Sequence, residues 1–183
     1  AALLWLLWDR ALKPTVTSKL EGVFAPIEEE RKLSALLAQI GVITSSTRVV
    51  LCAFHNGALD NAGYHLQKLT TINTYNAPGK EPMANAIRDL PIGRIMVELE
   101  ALIKTTGWVT IEYDDSLPEA CKTHLKLNGI HRMHNRLIRV GNLPIGILSL
   151  QYDNQERRQP PVETEPYSLL LDDLYDQIAL IMK

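Results

Sequence analysis

Apolar and polar residues alternate through Arg136, Leu137, Ile138, Arg139 and Val140, and a second, mostly apolar run follows through Leu143, Ile145, Ile147, Leu148 and Leu150, with small Gly146 inside it. Gly141-Asn142 lies between the two runs, and both residue types tolerate positive φ. The stretch Ile130 to Asp153 is therefore predicted to be a hairpin at the centre of a sheet. A continuous apolar second strand fits burial on both faces better than exposure on one.

The remaining elements follow from the same periodicities. Ala2 to Lys13 has helical composition, stopped by Pro14. Thr15 to Pro26 contains Gly22 and Pro26 and reads as a linker. Pro26 then opens a helix whose first turns carry Glu28, Glu29 and Glu30 and whose stripe is Leu33, Leu36, Leu37 and Ile40, with Gly41 ending it. Thr47 to Asn56 reads as a buried strand, Gly57 to Gly63 as a polar loop and His65 to Tyr75 as a Thr-rich strand, together a hairpin. Met83 to Arg88 predicts one or two helical turns, Ile92 to Thr105 a helix behind Pro91, and Trp108 to Tyr113 a strand. Pro118 to Leu127 reads as a helix capped by Asp115 or Ser116. Gln155 to Pro166 is a Pro-rich, charged loop, and Ser168 to Lys183 a last amphipathic helix with Leu171, Leu174, Tyr175, Ile178 and Ile181 in its stripe. The sum is an α+β domain with an antiparallel sheet of five to six strands. Residues 27–183 form this domain, and residues 1–26 an N-terminal arm and linker.

Composition changes this picture at three points. A net charge of −2 gives no electrostatic basis for nucleic-acid binding. Two cysteines without CxxC spacing, Cys52 and Cys121, are too few for a disulfide framework and read as reduced thiols of an intracellular protein. The unbroken apolar run Ala1 to Trp8, followed by Asp9-Arg10, is too short to span a bilayer, which needs about 20 residues. Tryptophan followed by charge is nevertheless how spanning helices meet headgroups. Three readings stand for this run: the end of a transmembrane helix, a short helix docked on its own domain or on a partner, and a signal remnant.

The order of elements, with TRVVLCAF after the opening helix and GIHRMHNRLIRVGNLPIGILSLQYD before the last one, resembles a GAF domain, the sensory module related to PAS, over roughly Glu28 to Met182. The strand before the turn carries Leu137-Ile138-Arg139 where the family often has Val-Pro-[Leu/Ile]. FHNG, Phe54 to Gly57, is similar to GAF-like proteins encoded by phages and mobile elements. The resemblance implies N- and C-terminal helices packed on one face of the sheet and a small-ligand site on the other face; the apolar stripes of those helices either form a homodimer or simply cover the sheet. The NKFDE set of cyclic-nucleotide binders is absent. Bilin-binding members attach their chromophore to a cysteine, usually followed by His, in the helix before the central hairpin; Cys121 stands at that place, followed by Lys122.

Seven residues are candidates for ligand binding. Cys121 and His124, three apart on a helix, share a face and can meet one pocket, where a histidine can favour thiolate; the bland alternative is a small packing residue beside a surface histidine. Arg132, His134 and Arg136 share one strand face, a cationic strip suited to an anionic ligand or a carboxylate-bearing partner strand, or else simply solvated. His55 and Asn56 end the first strand at a Gly-containing loop, where they either converge donors or form a turn. His131 and His134 have HxxH spacing, but on a strand they face opposite sides, so no metal is expected. GxSxG, HExxH, P-loop and GxGxxG patterns are absent, and two cysteines cannot assemble the relay of GAF-fold methionine sulfoxide reductases. The expectation is a non-catalytic binding or regulatory module without a resident cofactor, either membrane-anchored with a cytoplasmic domain or cytoplasmic. The alternative is a ligand-free assembly component.

Overall fold

Hydrogen bonding between extended, β-branched segments organises the chain, in a computed structural model that describes residues 13–59, 65–82, 86–114, 116–153 and 167–183. The apolar run at the N-terminus, the tip of the first hairpin, the first half of the turn expected over Met83 to Arg88, the capping position Asp115 and the Pro-rich loop lie outside the described residues. The elements are α1 Lys13–Thr44, β1 Arg48–Leu59, β2 His65–Asn76, β3 Leu90–Pro91, a 3-10 turn Ile92–Ile95, α2 Met96–Lys104, β4 Val109–Glu112, α3 Glu119–Leu127, β5 Arg132–Val140, β6 Leu143–Tyr152 and α4 Tyr167–Ile181.

The six strands form one sheet in the order β3-β2-β1-β6-β5-β4, and every neighbouring pair is antiparallel. The expected hairpins are both present, and β6, the apolar strand, is central between β1 and β5. The α+β class and its antiparallel sheet agree with the alternation and turn chemistry that predict them.

Three boundaries differ from expectation. The helix does not stop at Pro14 or restart at Pro26; Pro26 lies inside α1. The proline removes only the bond to the Gly22 carbonyl, and hydrogen bonds on either side carry the helix through a substitution that costs about 3 kcal/mol. By compactness the chain divides between Leu33 and Ser34. The part before that boundary is described as helix from Lys13. Gly41 does not end α1 either: a Cβ there would run into the Tyr75 ring of β2, so the glycine allows close approach. Ser45, at φ 51°, turns the chain out of the helix, and Ser46 N–H donates to the Gly41 carbonyl at 3.1 Å. The cap expected for α3 is also different: Pro118 holds the N-cap position with no side-chain hydrogen bond. Ser116 turns back to Asp114 instead.

Within residues 34–183 the two sheet faces have separate partners. One face carries Val49, Leu51, Leu148, Leu150 and Tyr152, and it receives α4 and the end of α1. Tyr175 of α4 donates to the Leu137 carbonyl at 2.6 Å, and Tyr152 donates to the Thr44 carbonyl at 3.2 Å. The end of α1 and the whole of α4 thus share this face. The opposite face carries Val50, Cys52, Leu69, Leu137 and Ile147, which pack with Leu99 and Leu102 of α2. Ile111 and Met133 pack with Cys121 and Leu125 of α3 at its outer end. Among the described residues no helix is long and apolar enough to cross a membrane.

Candidate functional site

A cavity of about 560 Å³ lies on the face away from the terminal helices, within the range of ligand pockets. Its floor is the middle of the sheet: Val50 and Cys52 of β1, Ile147, Ser149 and Gln151 of β6, and Met133 and Asn135 of β5. Register dictates this floor, because residues directly opposite across an antiparallel pair share a face. Val50 is paired with Ser149 and Cys52 with Ile147, Asn135 with Ser149 and Met133 with Gln151. The walls are Glu98, Leu99 and Leu102 of α2, Cys121 and His124 of α3, and the strap Ala86–Ile95. Arg88, Arg94, Glu119 and Thr123 are exposed on the rim. The strap is tied to β2: Thr71 N–H donates to the Ile87 carbonyl at 2.8 Å, and Asp89 N–H to Thr70 Oγ1 at 2.9 Å.

Three floor residues are polar and buried, with Asn135 and Ser149 7% and Gln151 3% exposed. Asn135 Oδ1, Ser149 Oγ and Gln151 Oε1 have no hydrogen-bond partner among the described residues. Leaving such a group unpaired costs roughly 1–3 kcal/mol, and native structures carry few of them.

Burial disfavours the charged forms of three cavity residues, Cys52, Cys121 and His124. Burial pushes the Cys52 thiol up to about 11, against a weaker opposing hydrogen bond with Thr71. Burial, and then the neighbouring Glu98 carboxylate to which the thiol is hydrogen-bonded, push Cys121 up to about 11. The expectation of a thiolate at Cys121 is therefore reversed: desolvation and a negative neighbour both disfavour the charged form. Burial also holds His124 below its ordinary value, which keeps the ring neutral at pH 7. Both cysteines are free thiols.

The structure brings Cys121 and His124 together on the cavity wall, as helical spacing predicts. The other candidates lie elsewhere. Arg132, His134 and Arg136 share one strand face, and it is the face of the terminal helices. Arg132 Nε pairs with Glu112 at 2.6 Å, so the carboxylate-bearing partner strand is β4. His134 Nδ1 is 2.8 Å from Thr110 Oγ1, and its ring meets Tyr152 edge-on. Arg136 pairs with Asp172 of α4. His55, half-buried, has Nε2 2.8 Å from Thr70 Oγ1 and 3.6 Å from Asp89, behind the strap rather than in the cavity. Asn56 is paired with Gln67 in the β1–β2 register; its side chain lies outside the described residues. Among the described residues no group of three or more His, Cys, Asp and Glu is placed to hold a metal.

Asn135, Ser149, Gln151 and Glu98 are the site residues that the sequence reading missed. One signal for them exists: Ser149 and Gln151 are polar at alternate positions of an otherwise apolar strand.

No family model matches the sequence, and no curated protein matches it. Solved structures do. The chain is similar to the blue-light absorbing form of the Thermosynechococcus elongatus PixJ GAF domain at 13% identity and TM-score 0.60, covering 87% of both chains. It is similar to a phycocyanobilin-bound GAF domain from a cyanobacterial phytochrome at 15% identity and TM-score 0.60, covering 90% of this chain and 91% of that one. A third is the GAF domain of a two-component sensor histidine kinase from Bacillus halodurans, at 15% identity and TM-score 0.57, covering 83% and 91%. The chain therefore has the GAF fold over most of its length.

Proposed function

We propose that the chain is a non-catalytic regulatory module that binds a small molecule in the cavity between the sheet and α2–α3. The observation that carries this reading is the cavity itself, with its row of unpartnered buried oxygens on Asn135, Ser149 and Gln151. An assembly component with no ligand has no reason to keep that space and that floor; apolar side chains would fill it at a gain in stability. The similar GAF domains, one from a sensor histidine kinase and one holding phycocyanobilin, support a sensing role. The high affinity of both cavity thiols for their protons favours reversible binding over attachment through Cys121 or thiol catalysis.

In this reading the terminal helices pass the ligand state on by pairing with a second copy. Leu169 and Leu180 of α4, 61% and 73% exposed, supply apolar surface for that contact. The N-terminal apolar run serves as the attachment to a membrane. Sedimentation velocity tests the pairing, with a monomer at micromolar concentration counting against it; membrane flotation of the full chain tests the attachment.

Native mass spectrometry of the purified chain tests the central claim. A small molecule is expected to copurify with the natural sequence and to be lost from Leu102→Trp, in which the indole occupies the cavity. Cys121→Phe is a second blocking variant should the first misfold. Retention of the same molecule by both folded variants would place it elsewhere and end this reading.

A further inference from the structure

We infer that the strap Ala86–Ile95 is the gate of the cavity and that Asp89 is the latch holding it shut against β1 and β2, an inference that rests on the ligand-binding reading above and names how entry to that site is controlled.

The walls of the cavity are not tied equally. Cys52 and Ile147 on the floor are only 4% and 7% exposed, so a small molecule reaches them when a wall moves aside. The floor strands β1 and β6 are each hydrogen-bonded on both sides. The helices α2 and α3 set Leu99, Leu102 and Leu125 into the core, all buried. The strap has no fully buried side chain. Ile87, Leu90, Ile92 and Ile95 rest half-buried on the cluster that includes Leu69, Leu99 and Leu102. Its backbone is paired with β2 at Lys68 and Leu69 and at Thr71. Few buried contacts and exposed ties place an element at the low-stability end of a fold, where local opening occurs.

Asp89 stands where the strap bends. Its φ is 49°, in the left-handed region that residues other than glycine seldom adopt. Such a conformation persists where the surroundings hold it, and here the holders are side chains of the first hairpin. Asp89 N–H donates to Thr70 Oγ1 at 2.9 Å. The Asp89 carboxylate lies 3.6 Å from His55 Nε2 and 3.7 Å from Lys68 Nζ, and His55 Nε2 is 2.8 Å from Thr70 Oγ1. The Asp89 side chain is 65% exposed, so solvent screening leaves its ion pairs weak and the hydrogen bond to Thr70 carries most of the latch. The residues on either side, Arg88 and Leu90, border the cavity. Asp89 is thus fastened behind the strap while its two neighbours stand at the mouth, and its release frees both.

Cys52 on the floor reports opening. In the full chain carrying Cys121→Ala it is the one thiol, and mass spectrometry after N-ethylmaleimide treatment reads its rate of labelling. That rate is expected to be nearly independent of urea below the unfolding transition, the mark of a local opening. Thr70→Val should speed labelling about tenfold, the worth of one hydrogen bond, and Thr70→Ser should restore the natural rate. Tyr175→Phe, which weakens the opposite face of the sheet, should leave the rate unchanged. Should Thr70→Val fail to fold, Asp89→Ala serves in its place with the same acceleration expected, because alanine disfavours positive φ and lacks the carboxylate. Labelling with the urea dependence of global unfolding overturns the inference, since no wall then opens on its own. An unchanged rate in the folded latch variant, or an equal acceleration by Tyr175→Phe, overturns it as well. Copurification in native mass spectrometry judges the cavity reading separately: a retained ligand together with unchanged labelling leaves the site standing and removes the latch.

Discussion

The Arg136 guanidinium of β5 lies over the Tyr175 ring of α4, its carbon 4.0 Å from the ring centroid. The Tyr175 hydroxyl donates back to the Leu137 carbonyl of the same strand at 2.6 Å and accepts from Arg139 N–H at 3.2 Å. Arg136 also pairs with Asp172 one turn earlier on α4. The basic residue that looked like a ligand contact in the sequence is thus a clasp between the sheet and the last helix.

Loss of that clasp is expected to be measurable. Arg136→Met should lower stability by about 1–2 kcal/mol, combining a half-shielded cation–π contact with a partly exposed ion pair. Tyr175→Phe should cost about 1–3 kcal/mol through the buried Leu137 carbonyl. Urea unfolding of both single variants and the double variant gives the coupling, expected above about 0.5 kcal/mol in magnitude because the groups touch. Additive losses would mean that the two side chains act independently.

Gly146 occupies a position where β1 passes close. A Cβ there would run into the Cys52 carbonyl oxygen of β1 and crowd Met182. Gly146→Ala is expected to destabilise by about 1–3 kcal/mol, since backbone cannot yield as a side-chain tip can. Equal chemical-denaturation midpoints for the variant and the natural chain would contradict this.

Alkylation should report the state of the cavity thiols. With Cys121 pushed up from 9.0 to about 11, its thiolate fraction at pH 8 is about 100-fold below that of an ordinary cysteine. Iodoacetamide should therefore label the folded Cys52→Ala variant slowly, at a rate still rising between pH 9 and pH 11. In stability, the unfolded thiol releases its proton near 9 while the folded one holds it to about 11, so this contribution falls as pH rises through that window. Fast labelling at pH 8 would show that the thiol is not shielded.

His124 gives the opposite pH dependence. Burial depresses its folded value below 6.5, so the unfolded chain takes up the proton first as pH falls. The contribution to stability is present above pH 6.5 and is lost as pH drops through the lowered value. His124→Gln should flatten the pH dependence of the melting midpoint between pH 7 and pH 5, and an unchanged slope would assign the titration to other groups.

The elements were legible because their signals are local. Alternation and a Gly-Asn turn mark the β5–β6 hairpin, β-branched residues mark β1, and stripes at helical spacing mark α4. The helix pair Cys121–His124 was legible for the same reason, a periodicity confined to one turn. Pro26 and Gly41 misled because their roles depend on distant partners: a helix that continues past the proline and a Tyr75 ring that needs the space at the glycine.

Hydrophobic pattern by itself determined the α+β class, the antiparallel hairpins and the central place of the apolar strand. Tertiary structure decided which polar residues face a cavity. Counted back from the Gly141-Asn142 turn, Val140 is paired with Leu143 and Arg139 with Pro144; Ile138 then meets Gly146, because Ile145 is extra in a bulge. Without that one residue Asn135 would stand opposite Leu148 and not Ser149, and the polar floor would be broken up. Both strand faces carry polar residues, so alternation could not say which one α1 and α4 cover. That choice belongs to packing between elements far apart in sequence, and it turns Arg136 toward Asp172 and Tyr175 and leaves Asn135, Ser149 and Gln151 beneath the cavity.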